Sequence, residues 1–175
     1  MSAAGVLPSE LLVAHEEPCL RVVHARNVQV AVWRDAPTVE RLDAMCRATG
    51  ALNERVPGQS ALLNLISGGR PSFPSELRQA AVERSASAVH PQGVAHVILL
   101  PGLIGADVRA FLGTIIALSR PPDPTRVFGA LGDAVGWMAG QLTASMAPTW
   151  TASELEALAR RCLDPRDPLA TPAPA

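Results

Sequence analysis

The chain has 175 residues, a formal net charge of −1 and hydrophobic residues at 48% of its positions. This length and apolar content fit one globular domain with its own core. The dispersed, nearly balanced charge excludes the basic face of a nucleic-acid-binding protein and the polybasic run of a protein that binds anionic membranes. All 15 basic residues are arginines, so Schiff-base, Ser-x-x-Lys and phosphate-loop lysine chemistry are excluded.

Targeting and cysteine patterns predict a cytoplasmic protein with no cofactor and no membrane insertion. The amino terminus lacks the basic start, apolar core and cleavage site of a signal peptide, and no apolar run approaches about 18 residues. Cys19, Cys46 and Cys162 are odd in number and have no short paired spacing. Neither a disulfide framework nor a cysteine zinc site is therefore predicted, and we expect free thiols.

The first half of the chain alternates between strand-like and helix-like patterns. Valines at every second position and apolar runs bounded by turn residues are typical of strands, whereas apolar residues three and four positions apart are typical of helices. These patterns predict, in order, an extension with little structure at 1–18, strands at 19–24 and 28–33 joined by a turn at Arg26 and Asn27, a helix capped by Thr38 and ending near Pro57, and a buried strand at 61–66.

The second half continues this alternation. Its patterns predict, in order, a helix opened by Pro74 and Ser75, a strand at 94–100, a helix at 106–118, a strand at 126–128, a helix capped by Asp133, a C-terminal helix within 147–163 that starts with a capping box from Thr151 to Glu154, and a disordered tail at 164–175. Neighbouring parallel strands need a helical crossover. The order therefore predicts one α/β domain over 19–146, with a mixed, largely parallel central sheet flanked by helices.

Two short stretches resemble the STAS and SEC14-like superfamily, which includes the bacterial anti-sigma-factor antagonists. The strand at 126–128, followed by Asp133 and by Trp137-Met138, is similar to the closing strand and short Trp-containing helix of that family. Leu63-Asn64-Leu65, followed by Pro74-Ser75-Glu76-Leu77, is similar to the strand and helix start where antagonists carry Asp-Ser-Ser-Gly-Leu. The resemblance covers about residues 20–142 and implies a non-enzymatic regulatory role through binding of another protein.

The same resemblance makes Ser75 a candidate phosphorylation site. Ser75 falls where an antagonist carries its phosphorylated serine, with Pro74 in place of the preceding Asp and Glu76 in place of the following Ser. A second register places Asp107 on the motif Asp and Val108 on the phosphorylated Ser, but it disturbs the strand order. Exposed amides and the helix dipole favour a phosphate at a helix start, and a helix cap is the alternative role for Ser75.

Two further groups are candidate binding residues. Gly68, Gly69 and Arg70 follow a predicted strand, where α/β folds bind ligands, and Arg70 could hold an anion. A flexible turn is the alternative explanation of these residues.

An apolar carboxyl-terminal region suggests a contact with a partner protein or with a second copy of the chain, since Trp and Met are common at such contacts. Its residues are Trp137, Met138, Met146 and Trp150. The four scattered histidines show no metal spacing, so no metal is expected.

Three functions stay open at this level. The first is a cytoplasmic, non-enzymatic regulatory or scaffold module that acts through protein–protein contacts, including a homodimer. The second is binding of a small apolar or lipid-like ligand between the sheet and the helix at 106–118, whose apolar side is expected to face the sheet. The third is an enzyme, because Cys46 or a serine could meet His96 and Asp107 in space, although no nucleophile motif supports it.

Overall fold

In the part of the chain that the structure describes, six strands form one mixed sheet in the order β1-β2-β3-β4-β5-β6. The computed structural model describes residues 10–69, 72, 74–145 and 148–166. The strands are β1 (Leu12–Glu16), β2 (Leu20–Ala25), β3 (Val28–Trp33), β4 (Ala61–Ile66), β5 (Gly93–Ile98) and β6 (Thr125–Phe128). Pairing is antiparallel from β1 to β3 and parallel from β3 to β6. The predicted α/β fold with a mixed, largely parallel sheet is confirmed.

Within the described residues, five helices cover the two faces of the sheet. They are α1 (Val39–Arg55), α2 (Ser75–Ser87), α3 (Gly102–Ser119), α4 (Leu131–Ala144) and α5 (Ala152–Leu163). Because the parallel strands follow one another in sequence order, crossovers of one handedness place α1, α2 and α3 on the same face. Helices α4 and α5 pack on the opposite face. The sheet is therefore buried on both sides, as its apolar central strands require.

Local sequence signals account for most of the element boundaries. Residues Arg26 and Asn27 form the predicted turn, because β2 ends at Ala25 and β3 begins at Val28. The Thr38 side chain caps α1 by accepting the backbone N–H of Arg41. The predicted capping box between Thr151 and Glu154 is present in full at the start of α5. These signals depend only on neighbours in the chain, so they do not require knowledge of the tertiary structure.

Three sequence predictions are corrected by the fold. Part of the expected extension at 1–18 is strand β1, which pairs with β2; its alternation is interrupted by a bulge between Val13 and His15 and weakened by partial burial at the sheet edge. Asp133 does not cap α4, which begins at Leu131 after Ala130; the carboxyl group lies instead in the first turn. Asp164 in the expected tail is ordered, and residues 1–9 and 167–175 lie outside the described residues.

Helix α3 has the length and hydropathy of a membrane span, and only 17% of its residues are buried. Its place in the fold argues against that role. A membrane-spanning α3 would put β5 and β6 on opposite sides of the bilayer, yet these strands pair directly, with Val94 opposite Thr125. The apolar composition of α3 therefore needs a different explanation, which the space beneath this helix provides.

Candidate functional site

A cavity lies between the sheet and the layer formed by α1, α2 and α3. Its volume is about 130 Å³, it is partly open to solvent, and most of its wall is apolar. Residues from both layers line it, among them Leu62, Ile66, Leu77, Ala81, Val108, Phe111, Leu112, Ile115 and Ile116. A cavity of about 150 Å³ lined by Leu, Ile and Phe is enough to bind benzene. The space therefore fits a small apolar molecule or the end of a longer one.

The cavity exists because α3 and α2 do not fill the space above the sheet. Only Gly105, Val108 and Ile115 of α3 are buried, so most of this apolar helix stands clear of close packing. Helix α2 contributes the small side chains of Ala80 and Ala81 to the same layer. The apolar side of α3 thus lines the cavity, which agrees with its predicted orientation toward the sheet.

A directional hydrogen-bond chain on the sheet floor ends at His96. The indole Nε1–H of Trp33 donates to Asn64 Oδ1 at 2.7 Å, and Asn64 Nδ2 is 2.8 Å from His96 Nδ1. Because an indole can only donate, the amide oxygen of Asn64 accepts and its NH2 group donates to His96. The Nδ1 atom of His96 is therefore the acceptor. Its neutral ring carries the hydrogen on Nε2, and that atom has no partner among the described residues.

A second polar chain runs beneath α1 to His90. Arg55 Nη2 donates to His24 Nδ1 at 3.0 Å, and His24 Nε2 then donates to Gln29 Oε1 at 3.1 Å. Gln29 Nε2 donates to Thr49 Oγ1 at 3.1 Å, and this hydroxyl oxygen is 3.3 Å from His90 Nε2. Arg55 fixes the direction as far as Thr49, because a guanidinium has no acceptor, and the Thr49 hydroxyl in turn donates to the carbonyl oxygen of Met45 at 3.1 Å. The chain leaves His90 with one ring nitrogen to be satisfied from elsewhere.

Burial keeps these three histidines neutral near pH 7. Desolvation lowers the pKa of His96 to about 4. Desolvation, aided by the charge of Arg55, lowers the pKa of His24 to about 4. The pKa of His90 falls to about 3 through desolvation and the proximity of His24 and His96. The cavity wall therefore offers neutral imidazoles rather than imidazolium cations.

Two polar atoms of cavity-lining residues have no hydrogen-bond partner in the part of the chain that the structure describes. They are His90 Nδ1 and Ser119 Oγ, and both atoms are fully buried. The side chain of His90 is almost wholly enclosed, with a relative exposure of 1%. Buried polar groups are nearly always satisfied by protein, water or a ligand. These two atoms are compatible with a polar group or a water molecule beside the cavity.

The predicted glycine loop lies at one end of the same cavity, and its glycines have a structural reason. A Cβ on Gly68 would lie 2.3 Å from the carbonyl oxygen of Arg34. Gly69 adopts φ +99°, and a Cβ there would lie 2.5 Å from the backbone nitrogen of Ala36. Both residues line the cavity, whereas Arg70 lies outside the described residues. Close packing of two loops thus explains the glycines, and the anion-binding role of Arg70 stays a prediction.

Ser75 lies away from the cavity lining, at the exposed first turn of α2. The predicted helix start is confirmed, but Pro74 occupies the cap position and no side chain caps the helix. The alternative role of Ser75 as a helix cap is therefore wrong. Phosphorylation of Ser75 stays a prediction. The second register places Asp107 and Val108 inside α3 rather than at a helix start.

The carboxyl-terminal residues expected to form an exposed patch are largely buried. Trp150 is 2% exposed and Met138 is 0% exposed. The Trp150 indole donates to Asn27 Oδ1 at 3.0 Å, and part-buried Trp137 packs against Phe128. The cause is α5, which folds back against α4 and covers this region. Met146 lies outside the described residues. The described residues of this region therefore lack the exposed apolar surface on which the interface hypothesis depended.

The polar residues of the cavity floor were missed, although the sequence carried a signal for them. Asn64 interrupts the apolar run of β4, and His96 interrupts that of β5. A polar residue inside a buried strand is informative because it needs a partner. The sheet register provides it, since Asn64 lies directly opposite His96.

The candidate arrangement of Cys46 with His96 and Asp107 is not formed by the side chains that the structure describes. No group of three or more His, Cys, Asp or Glu side chains could hold a metal ion within that part. Burial raises the pKa of the Cys46 thiol, which is opposite to what an activated nucleophile requires. Asp107 is exposed on α3, and no hydrogen bond joins it to the described side chains of Cys46 or His96.

Comparisons with known proteins do not assign this chain to a family. No protein-family model matches it, and no curated protein matches it significantly. Function is therefore inferred from the cavity and from the polar side chains that border it.

Proposed function

We propose that this protein binds a small, largely apolar molecule in the cavity between the sheet and helices α1 to α3. The observation that carries the proposal is a largely apolar space of about 130 Å³ whose lining includes His90 and Ser119, each with a buried polar atom that has no partner among the described residues. Ligand sites have this character, with a mostly apolar wall and a few placed polar groups that orient the ligand.

Energetic considerations support an occupant. Apolar side chains that border an unfilled space lack van der Waals partners on that side. A bound apolar molecule restores the lost van der Waals contacts of Phe111, Leu112 and Ile116, which are only partly buried.

The protein-interaction hypothesis keeps the status of a prediction. The exposed apolar residues that support it lie on α3 and not in the carboxyl-terminal region, since Leu103 is 84% and Leu118 is 65% exposed.

Membership of the STAS and SEC14-like superfamily is likewise a proposal, supported by the order of strands and helices. A cytoplasmic location is proposed on the same terms, supported by three cysteines that form no disulfide.

Filling the cavity by mutation tests the proposed function. In an Ala81→Leu variant the added side chain occupies part of the cavity, because Ala81 is buried on α2 and lines it. We expect the dissociation constant for 1-octanol to rise by about tenfold or more in this variant. Isothermal titration calorimetry measures the affinity, and amide chemical shifts of Ala81 and Ile115 report the place of binding.

The matched control is Ala51→Leu, which adds the same bulk to the exposed side of α1. This control is expected to bind 1-octanol as the unmodified chain does. Thermal unfolding verifies that both variants are folded, and Ala81→Leu is expected to be at least as stable because it fills a void. Equal 1-octanol affinity in both variants, or absence of binding to the unmodified chain, would contradict the proposed function.

A further inference from the structure

We infer that the ligand is a neutral molecule whose hydroxyl or carbonyl oxygen accepts a hydrogen bond from His96 Nε2, and not a carboxylate or an amine. This inference rests on the proposed function and specifies the chemical class of the occupant. It depends on the direction of the hydrogen bonds in the cavity floor and on the charges of the described lining residues.

The direction of the hydrogen bonds makes His96 a donor to the cavity. Trp33 can only donate, so Asn64 presents its NH2 group to His96 Nδ1. The remaining ring nitrogen, Nε2, carries a hydrogen and requires an acceptor. His96 lies deep in the fold, yet part of its surface stays accessible because the cavity reaches it. An alcohol, ketone or ester oxygen satisfies this donor, whereas an ammonium group has no lone pair to offer.

The charges around the cavity disfavour an anion. Among the described lining residues, Arg84 is the one that carries a positive charge. Its guanidinium is 2.9 Å from Asp43 and 3.0 Å from Glu83. Asp35 and Asp123 are also lining residues, and the carboxyl group of Asp123 accepts the backbone N–H of His90. A carboxylate ligand would therefore enter an apolar space without an available cation, which is costly.

A purely hydrocarbon ligand is disfavoured by the partnerless atoms. His90 Nδ1 and Ser119 Oγ are buried in residues that line the cavity and have no partner among the described residues. Leaving such atoms unsatisfied is unfavourable because the desolvation of each polar group is not offset by a hydrogen bond. A polar but uncharged ligand, with or without an accompanying water molecule, meets this requirement at least cost.

The test compares three molecules of equal chain length at pH 7.5: 1-octanol, octanoate and octylamine. Calorimetry with the full chain is expected to give 1-octanol an affinity at least about tenfold higher than that of either charged molecule. A His96→Phe variant is expected to weaken 1-octanol binding by about fivefold to tenfold. A His96→Gln variant is expected to retain most of the affinity, because its amide can accept from Asn64 and donate to the ligand.

The outcomes separate this inference from the proposed function. If none of the three molecules binds, the proposed function fails. If octanoate or octylamine binds as tightly as 1-octanol, the cavity still binds ligands but the neutral-ligand inference is overturned. The Arg70→Ala variant tests whether Arg70 pairs with the carboxylate of octanoate. If octanoate binds the unmodified chain but not this variant, Arg70 recognises a charged ligand and the inference is overturned. Unchanged 1-octanol affinity in His96→Phe would also overturn it.

Discussion

The free energy of unfolding is expected to fall steeply as the pH is lowered from about 6.5 to about 4, because three histidines are buried in neutral form. Burial lowers the pKa of His24, His90 and His96 below the unfolded value of 6.5. The unfolded chain therefore takes up protons at a higher pH than the folded chain, and protonation favours unfolding. Stability is fully present above pH 6.5 and is lost as the pH falls toward the folded-state values.

The expected loss is large because the three groups act in the same direction. Between pH 7.5 and pH 5, each histidine contributes about 2 kcal/mol of destabilisation. The Gln29 hydrogen bond raises the pKa of His24 but does not outweigh desolvation and the charge of Arg55, and His24 and His96 disfavour the protonation of His90. Asp123 contacts His90 through the backbone N–H and not through the ring.

Urea denaturation at pH 7.5, 6 and 5, followed by tryptophan fluorescence and circular dichroism, measures this loss. The His96→Gln variant should lose about one third less stability over the same interval, because one of the three protonation sites is gone. A flat stability profile from pH 7.5 to pH 5 would show that the histidines are not buried as the structure has them. Identical profiles for the variant and the unmodified chain would exclude His96 from the effect.

Replacing Arg21 by alanine is expected to lower the free energy of unfolding by about 3 kcal/mol. The Arg21 side chain is buried on β2 and contacts Glu16 at 2.6 Å. It also donates to the carbonyl oxygens of Cys162 at 3.3 Å and Asp164 at 3.0 Å, where α5 ends. The guanidinium thus satisfies carbonyls that the helix itself leaves unpaired and lies at the negative end of the helix dipole.

The matched control for this prediction is Arg160→Ala on α5. Arg160 pairs with Glu156 one helical turn away, and its side chain is 69% exposed. An exposed pair of this kind contributes about 0.5 kcal/mol or less. Chemical denaturation of the two variants should therefore separate them clearly. Equal losses would show that Arg21 does not hold α5 to the sheet.

Local patterns predicted most of the secondary structure because their physical causes are local. The alternation of Val28, Val30 and Val32 places one side of β3 in the core beneath α4 and α5, as expected. The missed strand β1 lies at the sheet edge, where partial burial and a bulge weaken the alternation. Its existence depends on pairing with β2 rather than on its own pattern.

The candidate site could be predicted only in part. The apolar side of the helix at 106–118 indicated which layer faces the sheet, and this orientation is found in α3. Whether that layer is filled or hollow depends on opposing side-chain volumes, such as that of Ala81, and on how far α3 stands from the sheet. No sequence pattern contains these distances.

By itself, the sequence determined the α/β order, the α1 cap, the capping box of α5 and the apolar character of α3, because each follows from residues within a few positions of one another. The tertiary structure alone decided which polar residues meet. Asn64 and His96 are 32 positions apart and touch because parallel pairing sets them side by side. Trp150 is buried and not exposed because α5 folds back and brings its indole to Asn27, 123 positions away. Contacts over such separations are fixed by strand register and helix docking, which minimise the apolar surface of the whole chain rather than of any segment.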